Sequence, residues 1–364
     1  MKKAFTIIEL LVAMGLLSML IAISGLVFST AVKAHRIANA TGEISAKLQA
    51  FTQQLDADFG NGHLQKDGEF LLVWAPSPEL KRDGTILDED GDGIPDRYLS
   101  FDRVMFFAGG DFQSYDAQPA DTNGDGTVDS SKIVYSNMAR VCYIFSKDTQ
   151  NARAYNEPNP VKRMLCRTQH LITADTDLPT FPDITAWDQT KSDNFHRDNF
   201  LYEYQTMTRE DWLNIPLGNP TPIKDDILSI ILDLRVGSST ILQGGPKINL
   251  NDAGTLHQLF MQGVGQFHVQ IWKLDSAINR YRWWPEIDPD GDGIYNEGST
   301  FDDGRTDYLL NGNEIDTVTL DGRLVPHWHT WDHIGPALKF TFTLYDSNGV
   351  FKDGKTFTYI VNLQ

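Results

Sequence analysis

The sequence predicts an α+β fold: one long N-terminal helix packed on an antiparallel β-sheet head that carries long loop insertions. Three observations predict it. Residues 4–32 hold a single charge, Glu9, and no proline. Farther on, Ile44, Leu48, Phe51, Leu55 and Phe59 recur at spacings of four, three, four and four, an apolar stripe of helical period. After Gly60 the pattern shortens to apolar or alternating runs separated by Gly, Pro, Asn and Asp. With 364 residues, 41% of them hydrophobic, the chain can bury a sizeable core.

The first segment is long enough to cross a bilayer, which takes about 20 apolar residues. An ordinary secretory signal is the alternative, with Lys2 and Lys3 as its basic region and a cut near Ser29-Thr30-Ala31 or at Ala34. Two features argue against it. Such a signal core runs roughly 7 to 15 residues, shorter than this stretch, and has no use for a carboxylate near its start. A charge inside an apolar span costs roughly 2.5 to 3.5 kcal/mol on insertion scales and marks function by default.

Lys2-Lys3-Ala4 followed by Phe5-Thr6-Ile7-Ile8-Glu9-Leu10-Leu11-Val12-Ala13 resembles the N-terminal signal of type IV prepilins and type II secretion pseudopilins. The resemblance implies a pilin-like fold and cleavage by prepilin peptidase between Ala4 and Phe5. It also implies methylation of the new amine on Phe5 and retention of the apolar helix. Glu9 then sits at the fifth mature position, where the family pairs a carboxylate with the terminal amine of a neighbouring subunit. Two charges costly in an apolar bundle become tolerable when they neutralise each other. Most members have Gly before the cut, and this chain has Ala4.

The expected organisation follows. Residues 1–4 form a cleaved leader, 5–32 the transmembrane and filament-core helix, 33–60 its amphipathic continuation, and 61–364 a β-rich head. The helix from Phe5 to Phe59 is ~80 Å long at ~1.5 Å per residue, and Gly60-Asn61-Gly62 stops it. In the head, strands are expected at 70–74, 104–107, 141–145, 266–272, 338–345 and 357–361. The last two form a hairpin with a longish loop, and short helices are expected after Thr208 and across Asp252 to Met261. Seven of the 16 prolines fall between Pro158 and Pro222, so residues 148–224 read as an irregular surface insertion. Residues 259–267 and 336–342 resemble stretches of the minor pilins called PilW and of the J-type minor pseudopilin, which implies a large minor subunit.

Three acidic loops share one pattern. Asp88, Asp90, Asp92, Ile94 and Asp96 form the first, and Asp121, Asn123, Asp125, Thr127 and Asp129 the second. Asp288, Asp290, Asp292, Ile294, Asn296 and Glu297 form the third. Oxygen donors at relative positions 1, 3, 5 and 9, Gly at 6 and a backbone carbonyl at 7 are how a short loop wraps a hard cation, and Ca2+ fits best. Position 12 is Leu99, Lys132 or Ser299 rather than Glu, so Asp102, Asp302 or Asp303 is the expected completing carboxylate. The alternative is that Asp-Gly sequences are simply good turns. The expected role is structural, stiffening loops at one to three sites.

Cys142 and Cys166 are expected to bridge across adjacent strands once the head is outside the cytoplasm, two buried free thiols being the alternative. The formal charge of −18 argues against a nucleic-acid partner, since phosphate binding needs a basic face. His327 and His329 form the one histidine cluster, without a third ligand or an H-E-x-x-H pattern, so a surface or packing role is expected of them rather than zinc. Trp283-Trp284 reads as core or interface before sugar platform.

The expected protein is a non-catalytic minor pilin or pseudopilin, priming or tip-located. It is a single-pass inner-membrane protein with a periplasmic head before assembly and part of a pilus or pseudopilus after it. Other pilins, prepilin peptidase and the inner-membrane assembly platform are its expected partners. A filament-borne adhesin is the rival, and a membrane-tethered hydrolase a further one.

Overall fold

The computed structural model describes residues 7–60, 69–74, 76–78, 81, 85, 87, 98–115, 117–127, 129–148, 158–175, 177–178, 204–206, 210, 213, 246–248, 250–251, 253–275, 280–284, 315–320, 323–330 and 335–363.

Helix α1 runs unbroken from Ile7 to Gly60, 54 residues or ~81 Å, and stops at the expected glycine. Its two halves differ in environment. From Ile7 to Ile37 the large apolar side chains are exposed except Val32, which is half-buried, whereas Ala40, Ile44, Phe51, Leu55 and Phe59 are buried with Leu48 packed beside them. The apolar stripe therefore lies on the head as the spacing predicts.

The strands that follow are β1 (Phe70–Trp74), β2 (Pro76–Pro78), β3 (Tyr98–Ser100), β4 (Arg103–Gln113), β5 (Gln118–Ala120), β6 (Ser130–Lys132), β7 (Tyr135–Phe145), β8 (Lys147–Asp148) and β9 (Met164–Thr173). Next come β10 (Tyr204–Thr206), β11 (Lys247–Ile248), a four-residue helix α2 (Ala253–Leu256), β12 (Leu259–Gln262) and β13 (Val264–Asp275). The chain closes with β14 (Arg280–Trp284), β15 (Ile315–Leu320), β16 (Arg323–Thr330), β17 (Ala337–Leu344) and β18 (Lys355–Asn362). Among the described residues, the larger sheet has the order β10-β9-β7-β4-β1-β16-β15, with β12 also on β9, and the smaller has the order β14-β13-β17-β18. Pairing is antiparallel in both except between β10 and β9. Pilin-like α+β architecture is thus what the chain adopts.

Continuous apolar runs in β4 and β7 have a structural cause. Val104–Ala108 and Val141–Phe145 are buried along their whole length, so both faces of these central strands are covered and no polar alternation is needed. Phe59 of α1 stacks on Phe106 of the larger sheet at 4.1 Å, and Phe51 on Phe342 of the smaller at 4.1 Å. The helix thereby seals both sheets into one core. The sheets also meet directly, where Asp102 donates its N–H to the carbonyl of Phe267 at 2.9 Å.

Two expectations need correction. Residues 164–173 lie inside the stretch expected to be an irregular insertion, in which only the segment around Cys166 is expected to pair beside Cys142, yet all ten form β9, paired to β7 from Ala139↔Leu171 to Phe145↔Leu165. The signal is masked because Arg167, Gln169 and His170 interrupt the apolar run, and the charge of Arg167 is neutralised from another element, described below. The helix expected across Asp252 to Met261 is confined to Ala253–Leu256, and β12 follows because β9 offers it an edge: Leu259 pairs with Cys166 and Met261 with Leu165.

The closing hairpin forms as expected, with eight pairs from Ala337↔Asn362 to Leu344↔Lys355. Asp346 organises its loop by accepting the N–H groups of Val350 and Phe351 at 2.9 Å each. Gly354 is required there: its φ is 66°, and a Cβ would come within 2.8 Å of Thr343 and 2.9 Å of the Leu344 carbonyl. Tyr359 of β18 donates to Asp56 of α1 at 2.7 Å, and this bond to a carboxylate pushes its phenol up to about 12. A raised phenol stabilises the fold fully below its unfolded pKa of ~10, and the contribution is lost as pH climbs through about 12. Alkaline unfolding of the Tyr359→Phe variant should lack that step between about pH 10 and about 12, and a wild-type-like profile would count against it.

Candidate functional site

The exposed half of α1 is the chemically unusual surface of this molecule. Ile7 is 79% and Phe28 72% exposed, and none of the most apolar window is buried. A continuous apolar rod of this kind is unstable in water and requires lipid or other apolar helices around it. The 26 residues from Ile7 to Val32 span ~39 Å, more than the ~30 Å hydrocarbon layer. Two of its hydroxyls bond back within the helix: Ser18 donates to the Met14 carbonyl at 2.8 Å and Thr30 to that of Leu26 at 2.9 Å. Glu9 lies in the first turn, where the helix dipole favours a carboxylate.

The other half is fastened to the head by charge as well as by apolar packing. Asp58, 3% exposed, receives both Arg167 Nε at 2.8 Å and Arg167 Nη2 at 2.6 Å, together with Tyr143 Oη at 2.5 Å and Gln54 Nε2 at 2.9 Å. Burial disfavours the Arg167 charge, but the bond to Asp58 outweighs that and holds the guanidinium above its usual value. Nearer the stalk, Glu43 accepts the backbone N–H of Ser347 at 2.9 Å and pairs with Lys47 at 2.9 Å. Lys47 donates to the Tyr345 carbonyl at 2.7 Å. Ties at residues 43, 47, 56 and 58 span four turns of the helix and fasten that stretch to the head.

Residues 1–25, which include the first half of this stalk, match the prokaryotic N-terminal methylation motif. The chain carries the prepilin-type signal. Neither a curated protein nor a solved structure matches it. The signal marks a pilin-like chain, and implies processing by a prepilin peptidase and assembly with other pilins.

Ala4 and Phe5, the processing pair, lie outside the described residues, as do the acidic loops at Asp88, Asp90, Asp92, Ile94 and Asp96 and at Asp288, Asp290, Asp292, Ile294, Asn296 and Glu297. The loop from Asp121 to Asp129 is described except for residue 128. Asp121 accepts the N–H groups of Gly124 at 2.7 Å and Gly126 at 2.6 Å, and Asn123 accepts that of Asp125 at 2.9 Å. Gly126, at the sharp-turn position, has φ 86°. Hydrogen bonds from Thr127 hold Asp125 below the usual carboxylate range, and the backbone N–H of Thr122 does the same for Asp129. Each carboxylate oxygen has further lone-pair capacity, so the donor chemistry fits a hard cation. Among the described residues no three His, Cys, Asp or Glu side chains converge to hold one. Asp102 is not free to complete a loop: its Oδ2 accepts the Val269 N–H at 2.8 Å and lies 2.7 Å from His268 Nδ1 in the core.

The expected bridge between Cys142 and Cys166 is corrected: both thiols are free and buried. In the β7–β9 register Cys142 opposes Thr168 and Cys166 opposes Ile144, which sets the two cysteines diagonally. Diagonal neighbours stand about 7–8 Å apart, beyond the ~4.4–6.8 Å Cα separation that a bridge needs. Burial pushes the Cys142 thiol up to about 12 and raises Cys166 as well. In the native protein neither should react with a thiol reagent at neutral pH, and both should react after denaturation; a single oxidised pair would contradict the register.

β16 carries His327 and His329, with His329 opposite Val73 of β1. Trp283 packs on the smaller sheet, its ring 4.9 Å from that of Trp272 and 4.9 Å from Lys339 Nζ.

Proposed function

We propose that this pilin-like chain is a minor pilin or pseudopilin, a non-catalytic structural subunit placed at or near the tip of a type IV pilus or type II secretion filament. The observation that carries the reading is the division of α1 into an exposed apolar half and a half clamped to the head. The clamped half transmits force between stalk and head, and the exposed half exchanges lipid for neighbouring helices during extraction from the inner membrane. Glu9 sets axial register by pairing with a neighbour's terminal amine. A head of about 300 residues with long insertions suits a subunit that does not have to tile a whole shaft. Before assembly the head faces the periplasm, and afterwards it travels with the filament.

The acidic loops bind Ca2+ and stiffen the head in this reading, supported by the all-oxygen donor pattern repeated three times. Millimolar Ca2+ should then raise the melting temperature of the full chain in detergent, and chelation should reverse the gain. Subunit status is tested by following an epitope-tagged chain into sheared filaments. Wild type should co-fractionate with them, and Glu9→Leu should reach the membrane yet be depleted from filaments. A Glu9→Leu chain that assembles normally would remove the register role of Glu9.

A further inference from the structure

Strand β18 ends the smaller sheet. It has β17 on one side and, among the described residues, no strand on the other. The N–H of Leu363 donates to the carbonyl of Pro336 at 2.8 Å, which marks 336 and 363 as a hydrogen-bonded pair. The register is unbroken over the eight pairs beyond it, so the pattern can be counted along the strand. Lys355, Phe357, Tyr359 and Val361 bond inward to β17, while Thr356, Thr358, Ile360 and Asn362 direct their N–H and C=O groups to the open side. All four of these outward residues are exposed, Ile360 at 47%.

Natural edge strands are blunted by charge, proline, a bulge or shortness. From Thr356 to Leu363 this chain has no charge, no proline and no glycine, although its formal net charge is −18. A regular, uncharged row of threonine, aromatic and β-branched residues with free backbone groups is a template for strand addition. Tyr359 Oη bonds to Asp56 of α1 at 2.7 Å, so β18 is tied to the clamped half of the helix.

We propose that the open edge of β18 receives an extended strand from the head of a neighbouring filament subunit. Backbone hydrogen bonds supply the affinity, and the outward groups of Thr356, Thr358, Ile360 and Asn362 set the register. A subunit whose helix packs against this stalk brings its own head to this edge. The identity of the partner rests on the filament-subunit reading; the edge left open among the described residues does not.

The test uses the full chain in cells that assemble filaments, with a photoreactive residue in place of Ile360. Three backgrounds are compared: wild type, Thr358→Pro, which removes one outward N–H, and Thr358→Val, which keeps it. Expected is an adduct between Ile360 and another subunit's head, formed equally in wild type and Thr358→Val. In Thr358→Pro it should fall about tenfold or more, the factor given by ~1.4 kcal/mol. Melting of the purified chain checks that the variant folds, and Thr358→Lys, an edge charge, replaces it if it does not. A chain that enters filaments yet gives no adduct, or one indifferent to Thr358→Pro and Thr358→Lys, overturns the strand addition and leaves the subunit reading standing. A chain absent from filaments overturns the subunit reading and with it the partner named here.

Discussion

Asp58→Ala should destabilise the protein by about 3–5 kcal/mol, the usual cost of removing one partner of a buried pair. Asp58 is 3% exposed and is the acceptor for both Arg167 and Tyr143. Without it a guanidinium and a phenol are stranded beside the apolar contact between Phe59 and Phe106. A control separates the pair's net worth from the cost of stranding its partner. Asp58→Leu combined with Arg167→Met removes both charges and should recover most of the loss. Denaturant unfolding of the three proteins measures this. A loss below about 1 kcal/mol for Asp58→Ala, the range of exposed pairs, would show that the helix is not held there.

Phe51→Ala should cost a similar ~3–5 kcal/mol for a different reason. Phe51 is fully buried and its ring meets Phe260 at 5.2 Å, Phe267 at 6.0 Å and Phe342 at 4.1 Å. Truncation leaves a cavity between α1 and the smaller sheet, whose surrounding rings are held by two sheets and cannot collapse into it. Phe51→Leu keeps most of the volume and should lose less than half as much. Thermal melting tests the series, and equal losses for Leu and Ala would deny that a cavity is the cause. Because Phe51 and Asp58 lie about two turns apart on one helix face, losing either should loosen the head on the stalk before the sheets themselves unfold.

Periodicity carried much of this fold. The stripe from Ile44 to Phe59 and the runs around Leu72, Phe106, Tyr143, Val269, Phe340 and Tyr359 are all in elements of the expected kind, because burial on one or both faces leaves a plain apolar signature. β9 was legible only around Cys166, and its continuation to Thr173 was obscured for the opposite reason. Arg167 reads as a surface residue until Asp58, 109 residues away, supplies its counter-charge. A signal for that pairing existed: Asp58 sits in the last turn of α1, where the helix dipole disfavours an acid, and no basic residue is in that turn. An acid so placed needs a cation from elsewhere. The cysteine pair failed on register, since adjacency of two strands is legible in sequence but a two-residue offset is not. The processing signal was legible outright, because Lys2 to Ala13 combine a basic start, an apolar run and one carboxylate at a fixed distance.

Retention, processing and assembly of the exposed half-helix are tested by the intact mass of the protein from cells with and without prepilin peptidase. Expected is loss of Met1 to Ala4 and gain of one methyl group on Phe5, both dependent on that enzyme. A cut after Ala31 or Ala34 would discard Glu9 and the apolar stalk, and would contradict this expectation.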